Sequence, residues 1–322
     1  MELLCSQQIS PKNAFHNAFT DFIEFQGTFY VCYRQATNHV SKDGKIIILS
    51  SSDLNKWSKH STLAQYNADL RDPKLSITPD NQLCCLFYRK VFNQQGVNIE
   101  NKSCVSFSQD AKTWSAFKLV SPNNWWLWRL RWIPNQKEAL GIAYRRSENR
   151  VALYQGNPQR YLDCTVNDLM SLATHGKGYP NESDIIFNQK GEAICLLRRD
   201  AGTGSAQLGI AKAPYKKWQW IDLVYYLGGP CLIQLKDGRI LTCSRVFTKA
   251  KGPQTYLLEI QINENNLGQY QAKLLPLFAL PSAGDNSYPA MIEKQGHLYI
   301  SYYSEHESYP SDIYMAKVVL ET

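Results

Sequence analysis

Arginine recurs at one place in a repeating frame. Seven residues after Gly27, Gly191 and Gly238 stand Arg34, Arg198 and Arg245, Tyr303 takes that place after Gly296, and Arg89 and Arg145 close the corresponding apolar runs between them. A guanidinium presents a planar, bidentate fork to a carboxylate or phosphate. Carboxylates accompany the arginines: Asp21, Asp72, Glu182 and Asp285 stand near the starts of the preceding apolar runs. Gathered at one end of a fold, these side chains would make a cationic pocket for an acidic small molecule, with carboxylates on hand to move protons. The other arrangement open to them is mutual pairing that locks neighbouring elements together.

The elements that must position them are β-hairpins. Residues 181–199, NESDIIFNQKGEAICLLRR, place Glu182 before an apolar run, turn at Gly191, return through AICLL and close on Arg198 and Arg199. In an antiparallel pair the first strand starts where the second ends, so Glu182 is expected beside those two arginines. The same hairpin recurs with turns near residues 27, 81, 136, 191, 238 and 296. Such spacing, roughly 47 to 58 residues, is a propeller-scale period. Outer strands are visible as well: KIIIL (45–49) and SCVSF (103–107) each run into an SxDxxxW turn, with Asp53 and Trp57 in one and Asp110 and Trp114 in the other. There the aspartate is expected to bond turn amides and the tryptophan to pack beneath. The fold class is therefore all-β, a six-bladed propeller of four-stranded antiparallel blades in a single domain over residues 1–322.

Composition narrows the function. The 322 residues are 44% hydrophobic, 20% charged and 12% aromatic, as expected for a strand-rich globular protein. A net charge of +7, from 35 basic and 28 acidic residues, is scattered along the chain, so nucleic acid is not an expected partner. No apolar run is long enough for a membrane-spanning helix. Nine cysteines, mostly inside apolar runs, with no CxxC or HExxH spacing, are expected to be reduced thiols, with neither a metal nor another cofactor implied. The opening MELLCSQQISPKN lacks a basic, then apolar, leader pattern, which gives a cytoplasmic expectation.

The segments HNAFTD (16–21), LRDPKL (70–75), WLWR (126–129), Asn181 with Glu182, LLRRD (196–200), GGP (228–230), GDNSYP (284–289) and SYYSEH (301–306) make the chain resemble the sialidase superfamily, in a branch of bacterial sialidase-like propellers. What the resemblance implies is a glycoside hydrolase acting on sialic acid or a related acidic sugar, with Glu182 and Tyr288 as the nucleophilic pair. A neutral nucleophile suits a substrate that carries its own carboxylate, which would repel an attacking carboxylate. Arg198 and Arg245 match two of the family's three carboxylate-binding arginines. The third normally lies at the start of the first blade, where this chain has His16 and Asp21, and Arg34 or Arg71 would take its place. The family's general acid is an aspartate on the loop after the first blade's second strand, where this chain offers His39 and Asp43, and Asp72 at the next blade's entry is the other candidate. Arg199, Trp128 and Asp285 complete the expected sugar-binding set. The rival function is a carbohydrate-binding propeller without catalysis, and a purely structural propeller would lack the central charges.

Overall fold

The computed structural model describes residues 1–320. Strands are arranged in six four-stranded antiparallel sheets, the blades of a β-propeller, and within a blade each strand but the N-terminal one pairs with its neighbour in sequence. The chain divides into two compact units of three blades, the division falling just inside the strand Trp126–Trp132. One unit holds the blades that open with His16–Phe25, Ala68–Ile77 and Ser287–Lys294. Its last blade is completed by the N-terminal strand Glu2–Gln8, which pairs with Asp312–Val319 from Glu2 opposite Val319 to Gln8 opposite Tyr314. The other unit holds the blades that open with Trp126–Trp132, Pro180–Phe187 and Gly228–Gln234.

Within each unit the cores lie between adjacent blades. Cys32, Ile46, Ile48, Leu70, Leu75, Cys85 and Phe87 join the first blade to the second. Ile142, Leu153, Ile185, Cys195 and Leu197 do the same for the third and fourth, and Leu196, Leu208, Leu232 and Leu258 for the fourth and fifth. A sheet covered on both faces must read apolar at successive positions. Ile46 to Leu49 and Ala193 to Leu197 do so, every one of them buried.

The SxDxxxW turns have the expected form. Asp53 Oδ1 accepts the N–H groups of Asn55 and Lys56, both at 2.9 Å, and Trp57 Nε1 donates to Leu54 O at 3.2 Å. Asp110 does the same with Thr113 and Lys112, bonds that bring its pKa down to about 2, and Trp114 Nε1 donates to Ala111 O. A third turn places Trp218 Nε1 on Tyr215 O at 2.8 Å without the aspartate.

All nine cysteines are free thiols, and only Cys5 and Cys164 are exposed. Burial pushes the Cys84 thiol up to about 12, and Cys85, Cys195 and Cys243 also rise well above the ordinary value. Reactivity requires an accessible thiolate. A colorimetric thiol reagent should therefore titrate two cysteines in the native protein and nine after denaturation without reductant. A denatured count of seven or fewer would mean that disulfides form.

Candidate active site

The side chains with chemical potential are set by a bulge repeated near the start of the innermost strands. In five blades the register between first and second strands slips across two residues: Phe19 and Thr20, Asp72 and Pro73, Asn181 and Glu182, Gly229 and Pro230, Tyr288 and Pro289. A bulge re-aims side chains and interrupts pairing. At the first bulge position Phe19, Asp72 and Tyr288 hold left-handed backbone, with φ of 61°, 49° and 48°, as does Gly229. Such a conformation costs a non-glycine residue on the order of 1–3 kcal/mol, so three blades bear that cost to hold a phenyl, a carboxylate and a phenol there.

In the first unit these residues meet an aromatic and histidine cluster. The Phe19 ring lies 5.0 Å from Tyr288, 5.5 Å from Tyr303 and 5.2 Å from His39, with the Arg71 guanidinium 5.2 Å above it. Asp285, at the edge of the cluster, accepts Tyr303 Oη on Oδ1 at 2.7 Å, and its Oδ2 lies 3.0 Å from His16 Nε2 and 2.5 Å from His39 Nδ1. Burial opposes its charge, but the bonds from His16, His39 and Tyr303 hold its carboxyl far below the usual range. The Asp285 backbone N–H donates to Glu305 Oε2 at 2.8 Å. Beside this cluster Asp69 receives Arg34 Nε at 2.7 Å and Arg71 Nη1 at 3.1 Å, and Asp72 lies 3.8 Å from Arg71 Nε. Glycine is required at position 44, because a Cβ there would run into Asp69 Oδ1 and Arg34 Nε.

In the second unit Glu182 accepts Arg198 Nη1 at 2.7 Å and the Gly229 N–H at 2.9 Å. Arg198 also donates Nε to Asp200 Oδ1 at 3.0 Å and lies 5.5 Å over the Tyr226 ring, whose phenol burial pushes up to about 12. Arg245 pairs in register with Gly228.

The expected residues part company at this point. Counting from the turn glycines aligns Arg198 with Arg34 and Arg245, whereas strand register aligns Arg199 with them: Arg34 faces Ala18, Arg245 faces Gly228, Tyr303 faces Ser287 and Arg199 faces Pro180. The aligned position comes eight residues after the turn glycine in the fourth blade and seven after it in the first, fifth and sixth. A slip of one exchanges the faces of a strand. Arg198 consequently reaches Glu182, while Arg199 is buried among Ser205 O and Ala201 O of its own blade.

Arg34 is likewise fully buried on Asp69 and the carbonyls of Asn38 and Ser41. Arg89 and Arg145 pair with Glu100 and Glu148. Asp21 accepts the Leu75 N–H of the adjacent blade at 2.6 Å, and Trp128 is buried with Tyr144 nearby. Asp43 bonds Thr37 within its turn. Arg34, Arg89 and Arg145 are thus paired with carboxylates, the alternative open at the level of sequence. Phe19 and Tyr303 in the cluster, and Asp69 beside it, are not among the expected site residues. The recurrence of Asp72-Pro73, Gly229-Pro230 and Tyr288-Pro289 at strand starts was the available signal for the bulge.

The architecture defines the chain as a six-bladed β-propeller. No protein-family model matches its sequence, and neither does any curated protein. Among solved structures, a protein of unknown function from Dyadobacter fermentans has a TM-score of 0.80 to this chain, with 17% identity over 99% of both chains. The intramolecular trans-sialidase of Ruminococcus gnavus, in complex with oseltamivir carboxylate, has a TM-score of 0.71 at 12% identity over 94% of each chain. An α-L-arabinanase of Penicillium chrysogenum, complexed with arabinobiose, also scores 0.71, at 13% identity over 98% of each. At these identities the likeness is one of fold.

Proposed function

We propose that this protein is a glycoside hydrolase that removes an acidic sugar from a glycan, with Tyr288 as nucleophile, Glu182 as its base and Asp72 as proton donor. The observation that carries the reading is the bulge, which holds Tyr288 and Asp72 at equivalent positions in left-handed backbone. Backbone strain of this kind concentrates at functional sites. Similar folds that are a trans-sialidase and an arabinanase support a glycosidic substrate. In the proposed reaction Glu182 takes the phenolic proton as Tyr288 Oη bonds to the anomeric carbon. The bond from that carbon to the leaving oxygen breaks, and Asp72 protonates the oxygen. Water then releases the sugar from tyrosine, so the two displacements retain the anomeric configuration. Arg198, Arg245 and Arg71 would face the acidic group.

A second reading, binding of a neutral sugar or of a glycan without cleavage, draws on the carboxylate partners that Arg198 and Arg71 already have. The deciding assay is a panel of aryl glycosides of sialic acids, uronic acids and neutral arabinose, run together with direct binding of the parent sugars. Cleavage of an acidic member, with Arg245→Ala weakening its binding by about 2–5 kcal/mol as for a buried charge pair, is the expected result. Cleavage confined to arabinosides would overturn the acidic specificity, and binding with no cleavage would overturn the enzyme.

A further inference from the structure

We infer that His16, His39 and Asp285 form a binding site for one divalent transition-metal ion. The three ligands are far apart in sequence and come from separate elements: His16 begins a strand, His39 lies on the loop after Thr28–Ala36, and Asp285 precedes Ser287–Lys294. Their donor atoms nevertheless lie within 4.8 Å of one another. His16 Nε2 is 3.0 Å and His39 Nδ1 2.5 Å from Asp285 Oδ2. Ligands held about 2.0–2.2 Å from a zinc-like ion are roughly 3 Å apart, so a small rotation of the exposed His39 ring admits the ion between imidazoles and carboxylate.

Two imidazoles with one carboxylate are a donor set for zinc, cobalt or iron rather than for calcium or magnesium. The set is also supported from behind. Tyr303 Oη donates to the other carboxylate oxygen, Oδ1, at 2.7 Å, and fixes the plane of Asp285. Partners of this kind orient ligands and tune metal affinity. The His16 ring is buried and its Nδ1 has no hydrogen-bond partner, so what Nε2 faces is the polar hold on that ring. Phe19 packs against both imidazoles and Tyr303 against that of His16, which keeps the inner side apolar. Arg71 donates to Asp69 and to the His39 carbonyl. The outer side is open, because the His39 side chain is 47% exposed. Three protein ligands and an open side are the arrangement of metal sites that take a further oxygen ligand, here from water or a sugar hydroxyl or carboxylate. Metal binding is read independently of the glycosidase reaction, so either can fail without the other.

The test uses the full chain, stripped with a chelator and titrated with Co²⁺ in the presence of a phosphine reductant. The expected result is one Co²⁺ per chain with a visible d–d band and no thiolate charge-transfer band, which separates this site from Cys5 and Cys164. Zn²⁺ should displace the cobalt. His39→Ala, on an exposed loop, and Asp285→Asn should each weaken binding by about 100-fold, and Tyr303→Phe by about 10-fold or more, the range of changes around metal ligands. Melting curves of the metal-free variants identify any that fail to fold, and His39→Ala carries the test if the buried ones do. Absence of stoichiometric Co²⁺ binding by wild type, or binding by His39→Ala as tight as wild type, would overturn the site.

Discussion

Tyr288→Phe should abolish turnover of whichever glycoside the protein cleaves while leaving its binding nearly unchanged. The ring and its left-handed backbone are common to both residues, and the contacts with Phe19 at 5.0 Å and Tyr303 at 5.9 Å remain. So does the bond that Thr20 Oγ1 donates to the Tyr288 carbonyl at 2.8 Å. What disappears is the phenolic oxygen. If that oxygen bonds to the anomeric carbon, its contribution belongs to the transition state, and the loss appears in kcat with KM preserved. Removing one member of a nucleophilic set lowers kcat on the order of 10⁴-fold. Glu182→Gln should also lower kcat, because a phenol with an ordinary pKa of about 10 is a weak nucleophile near neutrality without a base. Steady-state kinetics on the best substrate from the glycoside panel, with a melting curve for each variant, decide the matter. A Tyr288→Phe enzyme within threefold of wild type in kcat would remove Tyr288 from the mechanism even if the sugar still binds.

The blades were legible because their cause is local: apolar runs of strand length, turn glycines and a period of propeller scale all write themselves into consecutive residues. The paired Glu182 and Arg198 were legible for the same reason, since one hairpin contains both. The fate of the other arginines was not. Whether Arg34 meets a ligand or Asp69 depends on a partner from the next blade, and whether Arg198 or Arg199 reaches Glu182 depends on one extra residue between the turn glycine and the bulge. Counting from a glycine cannot see that residue's effect on register. Asp21 shows the same limit, because its acceptor role is set by the Leu75 amide 54 positions away. His16, His39 and Asp285 were each singled out, but for sugar binding or proton transfer. Their meeting at one carboxylate oxygen is a property of tertiary structure that no short motif spacing records.

The second large effect concerns stability and centres on Asp184, which, like Asp21, accepts a leucine N–H from the next blade. Its side chain is fully buried in the fourth blade, where it receives Arg131 through Nε at 2.9 Å and Nη2 at 2.8 Å, with Arg129 Nε 3.4 Å away. On the opposite side the Leu232 N–H of the fifth blade donates to it at 2.9 Å. One carboxylate thus links all three blades of its unit. Burial raises its pKa, but Arg129, Arg131 and the Leu232 amide outweigh burial and leave it below the ordinary value. Asp184→Asn keeps the shape and removes the buried charge that Arg129 and Arg131 both face, and should cost about 3–5 kcal/mol at neutral pH. The pH dependence has a definite sign. A folded-state pKa below the unfolded value of about 3.9 means that the unfolded chain binds the proton more readily, so the stabilisation is present above that value and is lost as pH falls through the folded pKa. Urea unfolding at pH 7 should therefore show the full difference between wild type and Asp184→Asn, and repeating it below pH 4 should narrow the gap. A neutral-pH difference under about 1 kcal/mol, the scale of an exposed ion pair, would refute the linking role, and a gap that persists in acid would refute its electrostatic origin.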